Sequence, residues 1–210
     1  MYLLSGLRNT LIIAFFACIF GVSLGFVVAY IRTSHDKTGK FKIGNALCKL
    51  YLTIIRGTPS MVQLMLIYYV ILVSMNNKIL VAVIAFGINS GAYVAETFRA
   101  GIMSIDPGQM EAARSLGLSY TQATWKIILP QTFKNVLPAL GNELIVLLKE
   151  TSISGYIGIS ELTRGANIII SRTYSSALPL IAIALIYLGV VIVLQELVNR
   201  MEARLAQSDR

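Results

Sequence analysis

Charge is scarce in this chain. Asp, Glu, Lys and Arg make up only 13% of its 210 residues, about half the share usual in soluble domains. Hydrophobic residues reach 56% and the mean hydropathy is +0.71, which excludes an ordinary soluble domain. Histidine occurs once, at His35, and cysteine twice, at Cys18 and Cys48. Neither supplies metal-ligand spacing or a Ser/His/Asp or Cys/His constellation, so no enzymatic site is legible and the cysteines read as unpaired thiols. A phosphate-cradling loop is also missing, because the only Gly-Lys, Gly39-Lys40, is followed by Phe41 where Ser or Thr is needed. The net charge of +8 is spread over loops between apolar runs. That pattern orients a protein in a bilayer and argues against a nucleic-acid partner.

What is present is a series of apolar segments, with room for about five spans of roughly 20 residues each. They read as 11–31, 50–75, 79–98, 137–157 and 177–197. The first is too long for a secretory h-region and is followed by basic sequence, so it reads as a retained span. The second is interrupted by Arg56-Gly57-Thr58-Pro59-Ser60, and the fourth carries Asn142, Glu143, Lys149 and Glu150. The expected fold is a single all-α integral membrane domain, 1–210, of five transmembrane helices. No internal repeat is visible, and five spans do not divide into two inverted halves, which disfavours a secondary transporter.

Lysine and arginine set the orientation. Twelve fall in 32–49, 99–134 and the C-terminal tail; only Arg8, Lys78, Arg164 and Arg172 fall in the opposite loops. The positive-inside rule then puts the N-terminus outside, the C-terminus inside and 104–130 in the cytoplasm.

The loop 104–130 has its own start and stop signals. Asp106 before Pro107, with Gln109 behind, is a helix N-terminus. Gly117 can take the left-handed conformation that ends it. Ser119 with Gln122 forms a second capping box, opening a helix through Trp125 to Leu129. The spacing predicts two short helices hinged at Gly117. Ala112 and Ala113 would let another backbone approach, with Glu111 and Arg114 as charged contacts beside them.

From Glu111 to Pro130 the chain reads Glu-Ala-Ala, three residues, Gly117, nine residues, Ile127, any residue, Leu129, Pro130. This resembles the "EAA loop" of permease subunits of bacterial ABC importers, the element that docks into the ATPase. The resemblance narrows to the polar amino-acid (histidine/glutamine-type) family through Arg56-Gly57-Thr58-Pro59, Ser90 to Arg99, Pro107-Gly108-Gln109, Asn142-Glu143, Leu148-Lys149 and Thr151-Ser152. After Thr151-Ser152 it departs, reading Ile153-Ser154-Gly155-Tyr156. The resemblance implies an inner-membrane permease with no cofactor of its own. It implies as partners an ATPase dimer that binds ATP-Mg, a second permease subunit and an extracytoplasmic solute-binding protein delivering an amino acid. Glu111, Ala112, Ala113, Arg114, Gly117, Leu129 and Pro130 would then form the ATPase-docking surface. A methionine or peptide permease is the alternative.

Ionisable groups at membrane depth are costly and face protein or a water-filled path. Asn142, Glu143, Lys149, Glu150, Thr151 and Ser152 are therefore candidates to line a pathway for a zwitterion, or to pair and hold the bundle together. Arg56 is expected either to contact substrate or to bond carbonyls freed at the break beside it. Glu161 to Arg172 is expected outside, as a contact for the binding protein, a gate or a solvated loop.

Overall fold

The computed structural model describes residues 2–207, and the described residues contain helices and no strand. Helix α1 spans Tyr2–Thr38, α2 Lys42–Gly57, α3 Ser60–Leu66 and α4 Lys78–Met103. Then follow α5 Pro107–Ser115, α6 Tyr120–Ala123, α7 Leu129–Glu150, α8 Leu162–Thr173 and α9 Ala177–Gln207.

Among the described residues three helices are long and apolar enough to cross a membrane: α1, α4 and α9. At 1.5 Å per residue, the 37 residues of α1 run about 55 Å, well beyond an apolar core of about 30 Å. The span expected at 11–31 is thus the middle of a longer rod. The span expected at 50–75 is not one straight helix. It breaks between α2 and α3 with a bend of 111°, because Pro59 lacks an N–H and pushes the residue before it out of the helical region. Thr58 is accordingly extended, at φ −128° and ψ 149°. The span expected at 137–157 is also redrawn: its helix begins earlier, ends at Glu150 and continues as a 3₁₀ segment, Thr151–Ile157. Its charges keep it from passing as an apolar span, yet it packs against α1, α4 and α9.

Helices α1 and α4 form the seam of the bundle. Lipid offers helices no hydrophobic drive to associate, so close van der Waals contact between small residues must do it. The buried stripe of α1 includes Thr10, Ala14, Ala17, Gly21, Gly25 and Ala29; α4 answers with Ala82, Ala85, Gly87, Gly91, Ala92 and Ala95. A Cβ on Gly25 would lie 2.6 Å from Val94 Cγ1, and one on Gly21 2.8 Å from Ser90 Oγ.

At the end of α1 remote from the 104–130 loop, 161–172 is a docked helix and not a solvated loop. Glu161, buried, caps α8 by accepting from Thr163 N and Arg164 N, both at 2.6 Å. Asn9 Nδ2 donates to Ser160 O at 2.9 Å, and the Leu162 N–H donates to Thr10 Oγ1 at 3.3 Å.

Replacing Gly25 by Leu should force α1 from α4. Overpacking of this kind costs about 1–3 kcal/mol, so the thermal midpoint of the detergent-purified protein should fall, while Gly57→Ala, with nothing near its Cβ, should shift it less.

Candidate functional site

The polar loop folds as its caps dictate. Asp106 Oδ1 accepts from Gly108 N at 2.9 Å, with Pro107 in the first turn of α5. Gly117, at φ +85°, turns the chain out of that helix, and its N–H donates to Arg114 O at 3.0 Å. The Leu118 N–H reaches back to Ala113 O at 3.2 Å, the bonding expected where a left-handed glycine closes a helix. Ser119 and Gln122 exchange both bonds of a capping box: Ser119 N to Gln122 Oε1 at 2.8 Å and Gln122 N to Ser119 Oγ at 3.2 Å.

The docking candidates divide by face. Glu111, Ala112, Arg114, Gly117 and Pro130 are exposed, whereas Ala113 and Leu129 are buried within this chain. These two hold the loop to the bundle and are not free to receive a partner. Arg114 is partly committed, donating from Nη1 to Leu118 O at 2.9 Å. The residue sequence reasoning missed is Leu116, 82% exposed beside the Gly117 turn. An aliphatic side chain flanked by Glu111 and Arg114 on a capped turn suits insertion into a pocket. Beneath the loop lies a cavity of about 340 Å³ between Tyr30, Thr33, Met110 and Tyr120. Burial raises the Tyr120 phenol above its ordinary pKa, so it is neutral at physiological pH.

The loop does not end at Pro130. From Tyr120 the chain runs through α6, a widened π turn at Thr124–Ile128 and α7 without interruption. That wider turn lies where the Pro130 ring would otherwise meet the carbonyl of Lys126. Trp125 fixes the rod to α1, 6.3 Å from Phe26 and 6.1 Å from Tyr30 between ring centroids. Phe26, Phe98 and Phe133 complete the cluster, with pairwise centroid distances of 5.4–5.6 Å. One continuous element therefore joins the second helix of the loop to the middle of the bundle.

The pathway candidates are not gathered at one place. Glu143 turns toward α4 and accepts from Ser90 Oγ at 2.7 Å; among the described residues no cation pairs with it. Glu150, two turns on, is half-buried, while Asn142 and Lys149 are exposed. Thr151 is buried, with its hydroxyl donating to Leu148 O at 2.8 Å, and Ser152 is half-buried. Helical spacing explains the division: 143, 147 and 150 share one face, and 142, 146 and 149 the next.

Arg56 does not bond the carbonyls freed at the break. Gln63, buried on α3, does so: its Nε2 donates to Ile55 O at 2.7 Å, Thr58 O at 3.0 Å and Thr58 Oγ1 at 2.8 Å. Gln63 Oε1 accepts from Asn89 Nδ2 at 2.9 Å. Arg56 instead reaches Glu96 at 4.0 Å and lies 5.8 Å above the Tyr93 ring. Glu96 also pairs with Arg32 and, at 3.5 Å, with Arg99. The Glu96–Arg99 pair joins neighbours one helical turn apart, while α1 and α2 supply the two other guanidiniums.

Residues 21–207 match the family model of the binding-protein-dependent transport system inner membrane component. The chain belongs to that family. It is a transport permease subunit and not an enzyme. It is 37% identical to the arginine transport system permease protein ArtQ of Bacillus subtilis, over 99% of this chain and 94% of that one. It is 35% identical to the glutamine transport system permease protein GlnP of Escherichia coli, over 97% and 92%. Its fold matches an amino acid ABC transporter solved with histidines at TM-score 0.88 and 44% identity, covering 97% and 94%. It also matches the MetNI methionine ABC transporter at TM-score 0.81 and 20% identity, which bears on the fold alone, covering 97% and 95%. This permease therefore has the ABC importer architecture, and its neighbours point to ATPase and permease partners generally.

Replacing Gln63 by Leu should leave the Ile55 and Thr58 carbonyls without their donor at the helix break. An unsatisfied buried group costs about 1–3 kcal/mol, so the folded yield and thermal midpoint should drop. Arg56→Gln, at a 48% exposed ion pair, should cost less than about 1 kcal/mol.

Proposed function

We propose that this permease carries a polar amino acid across the bacterial inner membrane as one half of a permease pair. A second copy or a related subunit forms the other half. An extracytoplasmic solute-binding protein delivers the amino acid, and a separate ATPase dimer holds ATP and Mg²⁺ and drives the cycle. The N-terminus lies outside, and the 104–130 loop and C-terminus lie in the cytoplasm. The observation that carries this reading is the capped two-helix loop, with Glu111, Ala112, Arg114 and Leu116 exposed on α5 and its closing turn, and with the second helix of the loop continuous with α7. A force on that exposed crown crosses the Gly117 turn into α6 and is then carried along α7 to Glu143 and its Ser90 partner.

The names of the relatives, arginine and glutamine permeases, favour a polar amino acid. The likeness to the methionine transporter is one of fold. Glu143 and Glu150, two turns apart on one face of α7, each supply an acceptor for an ammonium group, and the exposed Lys149 supplies a cation level with Glu150 on the next face.

Topology is checked by labelling intact cells with an impermeant thiol reagent, in a background lacking Cys18 and Cys48. A cysteine at Ser175 should react and one at Thr38 should be shielded; the reverse pattern would invert the orientation and remove the loop from ATP.

Coupling is checked at Leu116 and Gly117. Leu116→Asp changes an exposed side chain, so the permease should insert and purify as wild type while ATPase association falls at least tenfold and uptake is lost. Gly117→Pro should do the same, because proline cannot adopt a positive φ and removes the N–H that donates to Arg114. Wild-type uptake with both substitutions would sink the docking reading.

A further inference from the structure

We propose that this permease holds an anionic phospholipid, with the phosphate headgroup in a cationic pocket between α1, α2 and α4 and the acyl chains along the outer face of α2. The pocket encloses about 370 Å³ between Arg32, Lys49, Leu52, Thr53, Arg56 and Glu96. Three cations face one carboxylate, and that carboxylate is already shared: Arg32 bonds it, Arg56 lies 4.0 Å from it, and Arg99 reaches it from outside the pocket. Arg99 is balanced in turn by Asp36 at 3.4 Å. Lys49 has no ion-pair partner among the described residues. The Arg32 Nε, buried, has no hydrogen-bond acceptor. The two positive charges in excess of the carboxylate are what a phosphodiester supplies acceptors for.

The arrangement of α2 selects a lipid over free phosphate. Lys49, Thr53 and Arg56, at i, i+4 and i+7, form one stripe. Beside it runs a second, Ile43, Leu47, Leu50 and Ile54, at i, i+4, i+7 and i+11, all of them 51–80% exposed. The third face, with Asn45, Cys48 and Leu52, is buried against the bundle. An inorganic anion would use the first stripe only, whereas a phospholipid also covers Leu50 and Ile54, level with the cations, as its chains leave toward the bilayer centre; Ile43 and Leu47 lie on the cytoplasmic side of the headgroup. The depth fits as well. Glu96 lies near the end of the span expected at 79–98, where in the orientation proposed above the headgroups meet the apolar core on the cytoplasmic side. Basic pockets between membrane helices at this level recruit anionic headgroups.

The site rests on membrane insertion with α2 facing lipid. It does not rest on the ATPase-docking surface, so it can fail while the Leu116 prediction stands. The experiment is intact-mass measurement of the detergent-purified permease–ATPase complex titrated with phosphatidylglycerol, phosphatidylcholine or inorganic phosphate. Phosphatidylglycerol should be retained roughly tenfold more strongly than phosphatidylcholine. Lys49→Glu, at an exposed position, should abolish that preference without loss of yield, Lys49→Gln should reduce it and Lys49→Arg should keep it. Equal retention of the two lipids, an unchanged preference in Lys49→Glu, or displacement of phosphatidylglycerol by an equal concentration of inorganic phosphate would each overturn the proposal. So would a zero-length carbodiimide cross-link from Lys49 to a second permease subunit in phosphatidylglycerol vesicles, since a partner carboxylate would then fill the pocket.

Discussion

The α1–α4 seam sets the position of every polar group that matters in this permease. Apolar side chains gain nothing by leaving lipid for one another, so two helices stay together only if their backbones come close enough for dispersion and short polar contacts. Gly21 and Gly25 remove the side chains that would hold α1 away from Ser90 and Val94. With α4 fixed at that distance, Ser90 meets Glu143 on α7, and Tyr51 on α2 donates to Ile88 O at 2.6 Å. Glu96 comes within reach of Arg32 and Arg56. Each neighbouring helix is thus attached to α4 through a polar contact whose register the seam decides.

Inside a bilayer the backbone has no water to fall back on, so a broken helix must be repaired by side chains. Gln63 performs that repair, sharing its two Nε2 hydrogens among three oxygens across the Gly57-Thr58-Pro59 break and accepting from Asn89. Arg56 is thereby released to the surface of the bundle, where it joins Glu96 and leaves the pocket beside it cationic. The same economy appears at the other break in the sequence pattern. Pro130 does not end its helix because the π turn before it widens, and the loop stays in line with α7.

Local chemistry was legible in the chain, and distant chemistry was not. The Asp106 cap, the Gly117 turn and the Ser119–Gln122 box depend on residues no more than five apart, and each is realised where the spacing places it. The apolar runs of α1, α4 and α9 were visible because spanning a bilayer is a property of composition and length. The charges of α7 could be assigned to a span but not to a face. Once helical, Glu143 and Glu150 turn inward while Asn142 and Lys149 stay exposed. Likewise Ala113 and Leu129 belong to a recognisable motif, yet only the packing of the loop shows that they face the bundle.

By itself, then, the sequence determined an all-helical membrane protein, its family and the shape of its polar loop, because caps, turns and hydropathy act over a few residues or sum over a span. Tertiary structure decided which acceptor each donor found. Gln63 answers carbonyls five and eight residues away across a 111° bend, and three arginines from three helices converge on Glu96. Such partners are set by helix crossing and rotation, which depend on side-chain packing across the whole bundle and leave no periodic trace in any one segment.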